Sequence, residues 1–345
     1  MRRLFVLVVA ALGLVAVGGS YAWACGSLVA PNGAVRLVRT TTLAAYHAGV
    51  EHYVTNFQFV SPKQSFGSII PLPAAPTDVR RGGDWTLQRL EREVTPLSLE
   101  AGSQRPAAAS GVQVLQQVRI DALDVTVLRG GGTAVAAWTA RQGFALTPDT
   151  PAVLDFYSRR SPYFLAAKYD ASAAVARGLR TGDGIPVQLT IPVREPWVPL
   201  RILATGKPAD EVVNADVFLL TDRKPDLLTG QGLQLVRSEA APPGLLGDLR
   251  ADRATSWVPS QGWLSFLRLA QPAGRLGYDL AVGVGHPARP ADAGVPAAVL
   301  DAPGSLGPGA VAWSAIAVGA IAAAAAVLVG RRASRRSARA ATSRG

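Results

Sequence analysis

The 345-residue sequence holds one cysteine, one methionine and three histidines. A lone cysteine excludes a disulfide framework within the chain and any multi-cysteine zinc site. So few histidines leave few parts for a metal centre or a general base. Charged residues make up 17% against 49% hydrophobic, which excludes a long disordered polyelectrolyte. Acidic residues are missing from the two ends, because all 24 lie between Glu51 and Asp301. The formal net charge is +11, yet Arg2, Arg3 and six arginines of the last fifteen residues supply eight of the 35 bases. The remainder carries 27 bases against 24 acids. The basicity therefore belongs to the ends, and no nucleic-acid partner is expected.

What the ends do contain reads as membrane signals. Arg2 and Arg3 precede an apolar run over 4–17, and Ala22-Trp23-Ala24 supplies the small-x-small pattern of a signal-peptidase site. Residues 1–24 are expected to be a removed signal peptide, the alternative being an uncleaved anchor. Cleavage there makes Cys25 the mature N-terminus, where it is either lipidated or a free or intermolecular thiol. Bulky Trp23 argues against lipidation. At the other end, Val311 to Gly330 is a twenty-residue stretch without a charge, the length a spanning helix needs. Arg331, Arg332, Arg335, Arg336 and Arg339 follow directly, and the positive-inside rule puts them in the cytoplasm. A buried Ala-rich core helix would leave that basic flank unexplained.

Between the ends, 16 of the 24 residues over 287–310 are Ala, Gly or Pro, a composition that reads as a linker. A second break at 101–110 suggests an N-terminal lobe over 25–100 and a C-terminal lobe over 111–286. Strands are predicted over 35–45 and 52–60, turning at His47-Ala48-Gly49, with Tyr53, Thr55, Phe57 and Phe59 on one face. Further strands are predicted over 67–73, 112–120, 125–129, 163–169, 185–192, 200–204 and 215–220. Asp84 is placed to cap a helix ending at Val94 with Leu87, Leu90 and Val94 on one face. Thr133 is placed to cap a second helix, and Thr147 or Asp149 a third. Short strands outnumbering helices give an α+β class: a strand-rich, two-lobed extracytoplasmic region plus one C-terminal transmembrane helix at 311–330 and a cytoplasmic tail at 331–345.

The order of local features adds a resemblance. Ala24-Cys25-Gly26 is followed by Phe66-Gly67-Ser68-Ile69-Ile70-Pro71-Leu72-Pro73, Thr95-Pro96 and Leu123-Asp124-Val125-Thr126-Val127-Leu128. Trp138, Gly143-Phe144, Tyr157, Tyr163-Phe164-Leu165-Ala166-Ala167-Lys168 and Trp197-Val198-Pro199-Leu200-Arg201-Ile202 complete the series. This order resembles a bacterial secreted family known as domain of unknown function 2330, over roughly residues 24–240. That family usually carries a second cysteine soon after the first. Its absence here argues against an N-terminal disulfide or metal role for Cys25. The resemblance implies no activity, cofactor or catalytic residue.

The remaining constellations are weighed against ordinary structure. His47, Glu51 and His52 form the one His-rich cluster, but His-x4-His is not the spacing of two ligands on one helix face. Ser61-Pro62-Lys63 reads as a turn rather than a nucleophile beside its base. Gly130-Gly131-Gly132-Thr133 lacks the lysine of a phosphate loop and reads as a strand-to-helix turn. Arg89 and Glu93 suit a surface pair four residues apart. Arg80-Arg81 and Arg159-Arg160 read as solvated loops. Trp85, Trp138, Trp197, Trp257 and Trp263 could line a groove, with core packing as the default. No residue is assigned a catalytic, cofactor-binding or metal role. The expected function is a membrane-tethered binding or structural ectodomain of the bacterial cell envelope, anchored through Val311 to Gly330, with an envelope protein or polysaccharide as partner. The alternative is an extracytoplasmic hydrolase using His47 or His52.

Overall fold

The computed structural model describes residues 27–29, 40–58, 66–94, 114–179 and 184–301. The expected signal peptide, Cys25, Ser61-Pro62-Lys63, the 101–110 break, residues 302–310 of the expected linker, the 311–330 segment and the basic tail lie outside them. Among the described residues no helix is long and apolar enough to cross a membrane.

In chain order the strands are β1 (Ser27–Val29), β2 (Thr40–His47), β3 (Val50–Gln58), β4 (Phe66–Leu72) and β5 (Asp78–Arg81). Helix α1 (Thr86–Val94) precedes β6 (Val114–Ile120) and β7 (Leu123–Arg129), and α2 (Gly132–Arg141) and α3 (Thr150–Ser158) precede β8 (Tyr163–Tyr169). After α4 (Ala171–Ala176) come β9 (Gly184–Pro192), β10 (Val212–Thr221), β11 (Asp226–Gly230) and β12 (Leu233–Ala240). Helix α5 (Pro243–Ala251), β13 (Trp263–Pro272), β14 (Ala281–Gly283) and β15 (Leu300–Asp301) complete the series. The class is strand-rich α+β.

A five-stranded sheet runs β1-β4-β8-β7-β6, a seven-stranded sheet β12-β13-β10-β2-β3-β9-β5, and a three-stranded sheet β14-β11-β15. All pairings are antiparallel except β2 with β10. The seven-stranded sheet is apolar on both faces, and its alternation sorts residues between two cores. Ala44, Tyr53, Val217 and Leu219 join a core shared with the five-stranded sheet, α2 and α3. Their neighbours Leu43, Val54, Phe218 and Leu220 join a second core with Leu87 and Leu90 of α1 and Leu245, Leu246 and Leu249 of α5. Each fully buried Leu or Phe stabilises by about 1.5–3 kcal/mol. The alternation over 52–60 predicts a strand with one buried face, whereas both faces of β3 are covered: Tyr53, Val54 and Thr55 are all buried.

The two expected lobes are interleaved. Strands β2, β3 and β5 share their sheet with β9, β10, β12 and β13, so the 101–110 break separates sequence and not sheets. The expected linker also begins too early. Ala288 N–H donates to Asp226 at 2.8 Å, Asp279 N–H donates to the Ala293 carbonyl at 2.9 Å, and β15 pairs with β11. Composition promised no core there, but small residues pack where the chain lies close, as buried Ala288 and Ala293 do.

Capping differs from expectation in an instructive way. Helix α1 does hold Leu87 and Leu90 on its buried face. Its first amides, however, are met from across the chain by Asp252, which accepts from Asp84 N–H at 3.0 Å, Trp85 N–H at 3.0 Å and the Thr86 hydroxyl at 2.7 Å. Asp84 instead pairs with Arg81. Helix α2 follows Gly131 without a side-chain cap, and Thr133 does not serve as one. Gly132 is required because a Cβ there would lie 2.4 Å from the Asp155 amide of α3, so the triple glycine is a helix-packing feature. Asp149 precedes α3 without capping it and accepts from Gly206 N–H at 2.9 Å. The predicted strand over 200–204 is a 3-10 turn, Arg201–Ala204. Its amides curl toward an aspartate seventy-odd residues away, which leads to the site.

Candidate functional site

Asp279 is fully buried and gathers one corner of the molecule. Its Oδ1 accepts from the Tyr157 hydroxyl at 2.7 Å, Leu200 N–H at 2.8 Å and Arg201 N–H at 3.1 Å. Its Oδ2 accepts from Trp197 Nε1–H at 3.4 Å and from the Arg160 guanidinium. Tyr157 accepts in turn from Ile202 N–H at 3.0 Å, and burial foremost drives its hydroxyl well above the usual phenol pKa. Charge-assisted bonds of this kind hold a buried carboxylate without leaving an uncompensated charge. The Arg160 guanidinium also lies 4.7 Å above the Trp197 ring and donates to the Asp292 carbonyl.

This corner walls a cleft of about 420 Å³, the size of a small-ligand site. Pro73, Ala74, Arg160, Ser161 and Trp197 line it, with the chain from Pro192 to Pro196 and Arg289, Ala291 and Asp292 of the C-terminal turn. The 192–196 wall is fixed from behind. Tyr46 O–H donates to the Arg194 carbonyl, and Glu51 Oε1 accepts from Trp197 N–H at 3.1 Å. Glu51 is entirely buried, and burial pushes its carboxyl up to about 8. Glu195 Oε1 meets Arg289 at 3.1 Å and His286 at 3.4 Å. Its Oε2 and the Ser161 hydroxyl, both buried, have no hydrogen-bond partner among the described residues. Arg194 is exposed, and its guanidinium forms no ion pair among the described residues.

The histidines of the expected cluster take separate partners outside this lining. His47 bonds Asp222, which also accepts from Ala48 N–H at 3.3 Å across the left-handed Ala48-Gly49 turn. His52 stacks on Trp257 with ring centroids 3.9 Å apart and 6° between planes, and faces the Thr190 hydroxyl at 3.4 Å. Burial lowers its pKa to about 4, which makes it a poor base at neutral pH. Glu51, one residue before His52 on β3, points to the opposite face and to Trp197.

Of the five tryptophans considered, Trp197 lines the cleft and Trp138 is core. Trp263 donates to Ser238, and Trp85 is exposed. Arg159 is solvated as expected, whereas Arg160 is a site residue. Arg89 does pair with Glu93, and it also bridges to Asp248 of α5. Ser161, Glu195 and Asp279 carried no sequence signal, since each gains its meaning from partners distant in the chain.

Fold and cleft define a strand-rich α+β domain with a polar, arginine-edged pocket. The chain belongs to the family DUF2330, described as an uncharacterized protein conserved in bacteria, whose profile matches residues 19–223. No curated protein matches it significantly. Among solved structures it is similar to baculovirus P35, at 10% identity and a TM-score of 0.33 over 59% of this chain and 73% of that one. A mutated baculovirus P35 after caspase cleavage gives 9% identity and a TM-score of 0.34, over 58% and 74%. Likeness at that level carries no functional argument.

Proposed function

We propose that this protein is a membrane-tethered ectodomain of the bacterial cell envelope that binds a ligand in the Trp197 cleft. The single observation that carries the binding reading is the cleft itself. Its wall is pinned by Asp279, Glu51 and Tyr46, while the Ser161 hydroxyl and Glu195 Oε2 stay buried with hydrogen-bonding capacity left over. Buried polar groups left so are costly unless something meets them, and a rigid support is what a recognition site needs. Among the described residues neither His47 nor His52 lines the cleft, and each takes a partner elsewhere, which favours binding over hydrolysis by either. The tether rests on the apolar runs over 4–17 and 311–330 and on the arginines that flank them.

Membrane fractionation tests this reading. The full chain should remain in the membrane after alkaline carbonate washing, and a chain ending at Asp301 should be released in soluble form. Release of the full chain by carbonate would overturn the tether.

A further inference from the structure

We infer that the cleft recognises an acidic sugar, a hydroxyl-rich ring bearing one carboxylate. The inference rests on the binding reading above and adds the ligand's chemistry.

Among the described residues the guanidiniums at the cleft are paired except one. Arg160 is met by Asp279. Arg289 is met by Glu195 at 3.1 Å and by Asp292 at 2.9 Å. Arg194 is exposed at the cleft wall beside Glu195 and is the guanidinium without an ion-pair partner among the described residues. A single planar carboxylate suits a guanidinium fork. A dianionic phosphate would find the same one unpaired guanidinium but about twice the repulsion from Glu195 and Asp292 that a monoanionic carboxylate meets.

The rest of the cleft asks for hydroxyls. Glu195 Oε2 accepts, and the hydroxyl of Ser161, a buried residue, can donate and accept. Adjacent sugar hydroxyls offer both roles within a few ångströms. The Trp197 face is already covered by Arg160, so recognition here comes from polar groups and the Pro73, Pro192 and Pro196 edges rather than aromatic stacking. A purely apolar ligand would leave Glu195 and Ser161 unsatisfied.

The test is calorimetric titration of the full chain in detergent micelles with a glucuronic-acid oligosaccharide. A neutral glucose oligosaccharide of equal length and inorganic phosphate serve as comparisons. The acidic oligosaccharide should bind, the neutral one about tenfold or more weakly, and phosphate should not displace either. Arg194→Ala should cost about tenfold in affinity for the acidic ligand while leaving thermal unfolding unchanged, because the side chain is exposed. Ser161→Ala should cost about threefold or more for both sugars. Failure of the acidic oligosaccharide to bind would overturn the inference, as would displacement by phosphate. Equal binding of both sugars, lost in Ser161→Ala, would overturn the acid preference and keep the cleft as the binding site. Sugar binding that neither substitution alters would overturn the cleft as well.

Discussion

Arg81 donates from Nε to Asp121 Oδ2 at 2.8 Å, with 7% and 1% of the two side chains exposed. Arg81 ends β5 in the seven-stranded sheet, and Asp121 turns β6 into β7 in the five-stranded one at a φ of +62°. One buried ion pair thus fastens the two sheets.

Breaking such a pair from one side costs about 3–5 kcal/mol. Arg81→Met is expected to lose that much in urea unfolding of the full chain. Arg81→Met with Asp121→Asn should recover part of it, because asparagine carries no charge and tolerates left-handed φ. Equal losses in the single and double variants would show that the ion pair does not set the cost.

Glu51 imposes a pH dependence. Its folded-state pKa of about 8 lies above its ordinary value of 4.5 because the group is buried. The stability it contributes is therefore fully present below 4.5 and lost as pH rises through about 8. Glu51→Gln should abolish that loss and be more stable than wild type at pH 8.5 by on the order of 1–3 kcal/mol. Urea midpoints between pH 4 and 9 measure it, and identical slopes in both proteins would refute the assignment.

His52 acts in the opposite direction. Burial depresses its pKa from 6.5 to about 4, so its stability is present above 6.5 and lost as pH falls through about 4. His52→Phe keeps a flat ring on Trp257 and should remove this acid limb, read by Trp257 fluorescence during acid titration. An unchanged acid midpoint would contradict the burial argument.

The described fold continues past His286 to Asp301. A chain over 26–301 should melt cooperatively and be indifferent to reductant and chelator. A chain over 26–286 loses β15 and buried Ala288 and Ala293, and should melt several degrees lower. Equal melting of the two would restore the longer linker. A chelator effect would redirect attention to His47 and its Asp222 partner.

Local chemistry made much of the fold legible. The run at Tyr163–Tyr169 is legible to the residue because it is aromatic and apolar but for Lys168, and Phe164 to Ala167 are buried on both faces of the sheet. Strand β12 is illegible in sequence because it is an edge strand of mixed polarity with a bulge at Leu235/Arg237. The site was least legible. Trp197 and Asp279 are 82 residues apart, and only the fold brings Arg160, Ser161 and Glu195 to one cleft. In sequence Arg160 is indistinguishable from its solvated neighbour Arg159, and only the fold sets Asp279 against it.

Protease added to intact cells tests the account's central claim most directly. The account predicts digestion of the Cys25 to His286 region, with a small fragment carrying 311–345 left protected. Full protection in intact cells, with digestion only after lysis, would contradict an ectodomain outside the membrane.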